Sequence, residues 1–70
     1  MNIRQIEAFR AVMIAGSVTR AGERMSISQP AVSQLLGQFE RSCGFKLFER
    51  QAGKFSPTRE AQALFVEVER

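Results

Sequence analysis

Helix stop and start signals recur along this sequence at intervals too short for any long element. Gly16, the Ser28-Gln29-Pro30 step, Gly44 and the Pro57-Thr58 step divide it into pieces, each of which must bury its own apolar face against the others. In the first piece Ile3, Ile6, Phe9 and Met13 fall at helical spacing, with Ala8 and Val12 alongside and Arg4, Glu7 and Arg10 on other faces. Gly16 supplies a left-handed stop. Ser17 or Thr19 then caps a second, shorter helix running through Arg24 or Met25, in which Ala21 and Gly22 are small enough for another helix to come close. Ser26-Ile27-Ser28 reads as a short turn.

The third piece is the most informative. Ser28 is a good N-cap, and Pro30 falls in the first turn, where a missing N–H costs nothing. The helix should run from Gln29 to about Ser42 and stop at Gly44. At 100° per residue, Val32, Leu35, Leu36 and Phe39 share one apolar arc. The opposite arc holds Pro30, Ser33, Gln34, Gly37 and Arg41, with Gln38 at its edge. An ordinary solvent-facing surface would favour Glu and Lys, which are better helix formers than Ser or Gly. Short hydrogen-bonding groups in their place suit close approach to another surface.

Beyond Gly44 the period shortens. Phe45, Leu47 and Phe48 alternate with Lys46 as in a strand, Gln51-Ala52-Gly53 makes a turn, and Lys54-Phe55-Ser56 returns. The result is a short β-hairpin carrying Arg50 and Lys54. Pro57 ends it, and Thr58 caps a fourth helix with Glu60 in its first turn. There Ala61, Leu64, Phe65 and Val68 form an amphipathic stripe at i, i+3, i+4 and i+7. Ile3, Ile6, Phe9, Val32, Leu36, Phe39, Leu47 and Phe48 are the expected core.

With 70 residues there is room for one thin core. A domain of this size hides only about 60% of the surface its unfolded chain exposes, which excludes a deep pocket. The absence of histidine removes imidazole from both acid–base and metal chemistry. The serines then lack an activating base, and no glycine loop or ligand cluster suggests catalysis, so the reading is not an enzyme, with no cofactor in this domain and no metal. The single cysteine, Cys43, cannot form an internal disulfide, and a terminal helical position suits packing better than redox sensing. No apolar run approaches a membrane span and no signal-peptide layout opens the chain, so a cytoplasmic module with no membrane partner is expected.

Charge is unevenly distributed. Residues 1–40 carry four arginines against three glutamates, a balance of +1. Residues 41–59 carry Arg41, Lys46, Arg50, Lys54 and Arg59 against Glu49, a balance of +4, and residues 60–70 carry Arg70 against three glutamates, a balance of −2. A cationic middle is what an anionic partner would meet, although a solvated charged loop is the commoner source of such bias. Two helices joined by a short turn, the second with a polar outer face, follow helix-turn-helix logic. In that arrangement Gln29, Ser33 and Gln34 would meet base edges in the major groove of double-stranded DNA. Ser17, Thr19 and Ser28 at helix starts, with Arg50 and Lys54 from the hairpin, would hold phosphates. A protein-interaction or adaptor module built on the same helices, without DNA binding, is the alternative.

Residues 16–35, GSVTRAGERMSISQPAVSQL, with LFER at 47–50 and PTREA at 57–61, resemble the N-terminal DNA-binding domain of LysR-type transcriptional regulators. The opening MNIRQIEAF is similar to the start of that family too, so the likeness covers essentially the whole chain. It implies a mainly α, winged helix-turn-helix fold: a three-helix core, a short β-hairpin wing and a C-terminal linker helix. Residues 1–57 would form the DNA-binding domain and 58–70 the start of the linker and dimerisation helix. The resemblance further implies a bacterial operator-reading regulator, a homodimer paired through Ala61, Leu64, Phe65 and Val68, and tetramers in longer proteins. A small-molecule inducer would be met only by a C-terminal domain absent from this sequence. By the same likeness, Gln29, Pro30 and Ser33 match DNA-meeting positions, and 50–54 match the wing. Gln34 stands where many members carry arginine, and Gly37-Gln38 replaces a commonly basic stretch, so this helix is less cationic than its kin.

Overall fold

The structure is a computed structural model that describes residues 2–51 and 53–70, apart from the side chains of Gln51 and Lys54. Four helices and one hairpin follow in the order α1 (Ile3–Ala15), α2 (Val18–Met25), α3 (Gln29–Cys43), β1 (Phe48–Gln51), β2 (Lys54–Pro57) and α4 (Arg59–Val68). Local chemistry sets the ends. Asn2 and Gln5 form a reciprocal capping box on α1, an arrangement that satisfies two orphan N–H groups at once. Ser17, Ser28 and Thr58 cap α2, α3 and α4, and Gly16 and Gly44 leave α1 and α3 through left-handed backbone at φ 81°. Thr19 lies inside α2 and is not its cap.

The core fills the space enclosed by the first three helices. Phe9, Val12, Val32, Phe39 and Leu47 are its largest fully buried side chains, and the rings of Phe9 and Phe39 meet edge-on at 5.7 Å. Ile3, an expected core residue, is instead 74% exposed. It stands in the first turn of α1, on the side turned away from α3. The inward side chain of that turn is Gln5, buried and bonded to Gln38 Oε1 at 3.4 Å.

The hairpin is shorter than the alternation of Phe45 and Leu47 suggests. Phe48 pairs with Pro57, Glu49 with Ser56, Arg50 with Phe55 and Gln51 with Lys54. Before Phe48 the chain is pinned by side chains: Leu47 N–H donates to Glu40 Oε2 at 2.8 Å, and Thr58 Oγ1 donates to the Lys46 carbonyl at 2.7 Å. Of the expected turn, Ala52 lies outside the described residues, and Gly53 takes a φ of 76°. α4 then packs against α1, with Phe65 edge-on to Phe9 at 6.3 Å and Glu69 bridged to Arg10.

Candidate nucleic-acid interface

The geometry of the helix pair comes first, because it decides what α3 can reach. Ser26 takes left-handed backbone at φ 59°, and Ile27 N–H donates to the Gly22 carbonyl at 2.9 Å, folding the chain sharply between α2 and α3. Only glycine fits at position 22. A Cβ there would sit 2.8 Å from the Ile27 carbonyl oxygen, closer than real side chains come. The two helices thus meet at a fixed angle over buried Ala21 and Val32.

That packing turns one side of α3 outward. Gln29, Pro30, Ser33, Gln34 and Arg41 are all exposed, while Val32, Leu36 and Phe39 face the core. Gln38 keeps its expected edge position, half-buried, with its Oε1 accepting from Gln5 Nε2. The outward face has no ion pair among the described residues, and ahead of the guanidinium of Arg41 it is built of amide, hydroxyl and pyrrolidine groups short enough to sit against base edges.

The helix starts add oriented donors. Ser17 Oγ accepts from Arg20 N–H at 3.0 Å and Ser28 Oγ accepts from Ala31 N–H at 3.2 Å. Each hydroxyl spends a lone pair on its cap and keeps its proton to donate. The hairpin supplies the charge. Arg50 lies with its guanidinium carbon 5.6 Å from the centre of the Phe55 ring, and Phe55 stacks on Phe48 at 4.9 Å. A cleft of about 200 Å3 joins these parts, lined by Ser17, Val18, Thr19, Gln29, Arg50 and Phe55. Four of the residues singled out in the sequence therefore converge on one depression between the start of α2, the start of α3 and the wing. Ser33 and Gln34 stand outside it on the open face of α3. Lys54 occupies the register position opposite Gln51 in β2, and its side chain lies outside the described residues.

Phe55 was not among the expected site residues. Gln51 pairs with Lys54 and Arg50 with Phe55, so the strand register was the signal that could have found it.

The stripe on α4 requires a correction. Ala61 is fully buried in its own core, and Leu64, Phe65 and Val68 are half-buried against the same cluster. The apolar period was right, but the surface it covers belongs first to α1 and β2 of the same chain. Gln62, Ala63 and Val66 are the exposed side chains of the middle of α4. Cys43 is half-buried, and that burial raises its thiol pKa, which lowers the reactive thiolate fraction at neutral pH. Among the described residues no group of three or more His, Cys, Asp or Glu is placed to hold a metal, and no helix is long and apolar enough to cross a membrane.

Known proteins share this arrangement. Residues 3–62 match the bacterial regulatory helix-turn-helix proteins of the lysR family. Over all 70 residues the chain is 51% identical to the octopine catabolism/uptake operon regulatory protein OccR of Rhizobium meliloti. It spans 24% of that relative, about a quarter of the length of the curated relatives it matches. A LysR-family transcriptional regulator from Eggerthella lenta superposes with a TM-score of 0.94 at 33% identity, each chain covered in full. The CbnR DBD in complex with DNA superposes with a TM-score of 0.90 at 30% identity, covering 100% of this chain and 80% of that one.

Proposed function

The chain belongs to the LysR family of bacterial helix-turn-helix regulatory proteins, and on that premise we propose that it reads operator DNA in the control of transcription. One observation carries the reading. The polar face of α3 is exposed beside a cleft where Ser17, Thr19, Gln29 and Arg50 converge, so base-reading and phosphate-holding groups border one surface. In this reading Gln29, Pro30, Ser33 and Gln34 meet base edges. Ser17, Thr19, Ser28, Arg50 and Lys54 hold the backbone. The relatives are regulators, and no residue set here suggests catalysis or a bound cofactor.

Residues 1–57 act as the reading domain and 58–70 as the start of the helix that links it to whatever follows. Operator reading by two half-sites requires a second copy about 34 Å away or a multiple of that distance. Pairing through α4 would use exposed Val66 and the outer edges of Leu64, Phe65 and Val68, with Ala61 left inside the monomer. Higher assembly and an inducer belong to the longer proteins of which such a domain is the first part. A cytoplasmic setting fits a partner that is chromosomal DNA.

Salt titration of binding tests the reading. If a dimer neutralises about six phosphates, affinity for a duplex selected from a random pool should fall by roughly three orders of magnitude between 50 and 200 mM salt. Changing Arg50 to alanine should weaken all duplexes alike and flatten the slope. A chain that enriches no duplex from the pool would instead be an adaptor on the same scaffold.

A further inference from the structure

Resting on the DNA-binding reading, we propose that Arg41 is a backbone-phosphate contact, delivered across Gly37 onto the face that α3 presents. Arg41 is the only cation in Gln29–Cys43, and at 100° per residue it falls within the same arc as Pro30, Gln34 and Gly37. It is exposed, and the ion pairs of the described residues, Arg4–Glu7, Arg10–Glu69 and Arg70–Glu67, do not use it. The neighbouring carboxylate is occupied elsewhere, because Glu40 Oε2 accepts from Leu47 N–H.

That charge lies beside Gly37. A Cβ built on Gly37 would lie 3.7 Å from a terminal guanidinium nitrogen of Arg41. Arg41 thus folds back one turn, in the direction helical side chains lean, and its guanidinium lies in van der Waals range of where a side chain at 37 would begin. Gly37 lies seven residues beyond Pro30, or about 10 Å along the helix axis. The major groove is about 12 Å wide and rimmed by phosphates, so a helix leading with its N-terminus brings this turn to the rim. There the surface is already hollow. Gly37, Glu40, Arg41, Gly44, Phe45 and Lys46 line a cleft of about 410 Å3, in which two cations stand against the single carboxylate of Glu40 and two glycines leave room for a phosphate oxygen.

The test compares Arg41→Ala, Arg41→Lys and Arg50→Ala in this chain, by anisotropy on a duplex selected from a random pool and on its scrambled counterpart. Arg41→Ala should lower the slope of log affinity against log salt by about one per bound chain and weaken both duplexes about eightfold at 0.1 M salt. Arg41→Lys should keep the slope, and the melting temperature of both variants should match the parent. An unchanged slope for Arg41→Ala beside a reduced slope for Arg50→Ala would overturn the assignment and leave the DNA reading standing. A lower melting temperature with an unchanged slope would also overturn it, since Arg41 would then serve only the C-terminal partial charge of α3. Loss confined to the selected duplex would replace the phosphate by a base. Failure of the parent chain to bind either duplex would remove the DNA reading itself.

Discussion

Arg50 is directed by the Phe55 ring beneath it, whereas Gln34 is directed only by the helix it stands on. The difference matters for base reading. A glutamine amide pairs bidentately with adenine, and an arginine at the same place favours guanine. Gln34→Arg should therefore move the preferred base at one half-site position toward guanine by about 1–3 kcal/mol. Selection from a random pool measures the change, and an unaltered preferred sequence would show that Gln34 points away from the bases. At this scale the outward set on α3 was legible because a helix of 15 residues imposes its own period and the caps at both ends are local. The exposure of Ile3, the Gln5–Gln38 bond and the place of Phe55 were not legible. They are set by contacts with distant residues, Gln5 with Gln38 and Arg50 across the turn, which a single helical period does not contain.

Among the elements, the junction from α3 to the wing is held by side chains more than by ladder bonds. Thr58 is its centre: buried, with Oγ1 donating to the Lys46 carbonyl at 2.7 Å and accepting from Ala61 N–H at 3.1 Å, while its own N–H donates to the Leu47 carbonyl at 2.9 Å. The capping role follows from sequence, since a threonine after proline and before Arg59-Glu60 starts a helix by local chemistry. The bond back to Lys46 spans 12 residues and leaves no trace in local pattern. For the same reason the strand begins at Phe48 and not at Phe45. Thr58→Val keeps the shape and removes the hydroxyl, stranding the Ala61 N–H and the Lys46 carbonyl. The expected cost is about 1–2 kcal/mol, read as a lower urea midpoint at unchanged m-value. A midpoint equal to the parent's would mean that water replaces both bonds.

For the molecule as a whole, the stripe on α4 joins the last helix to the first. Phe65 meets Phe9, and Phe9 also meets Phe39 and Phe48, so one ring contacts α3, α4 and the hairpin. Phe65→Ala should cost about 2 kcal/mol and lower the melting temperature by roughly 10 °C. Melting at several protein concentrations separates the causes: a loss that is the same at every concentration belongs to packing within one chain, and a loss that grows on dilution belongs to pairing. The stack of Phe48, Phe55 and Arg50 has a further consequence. Phe48 also meets Phe9, so the stacked rings tie the wing to α1 while Phe55 and Arg50 line the cleft beside Ser17 and Gln29. A wing tied in this way should act with the reading helix as a calliper with set jaws. A duplex gripped by it must adopt the jaw spacing, and the elastic cost of widening or narrowing a groove depends on base-pair stacking. Discrimination would then extend to base pairs that lie between the jaws and touch no side chain.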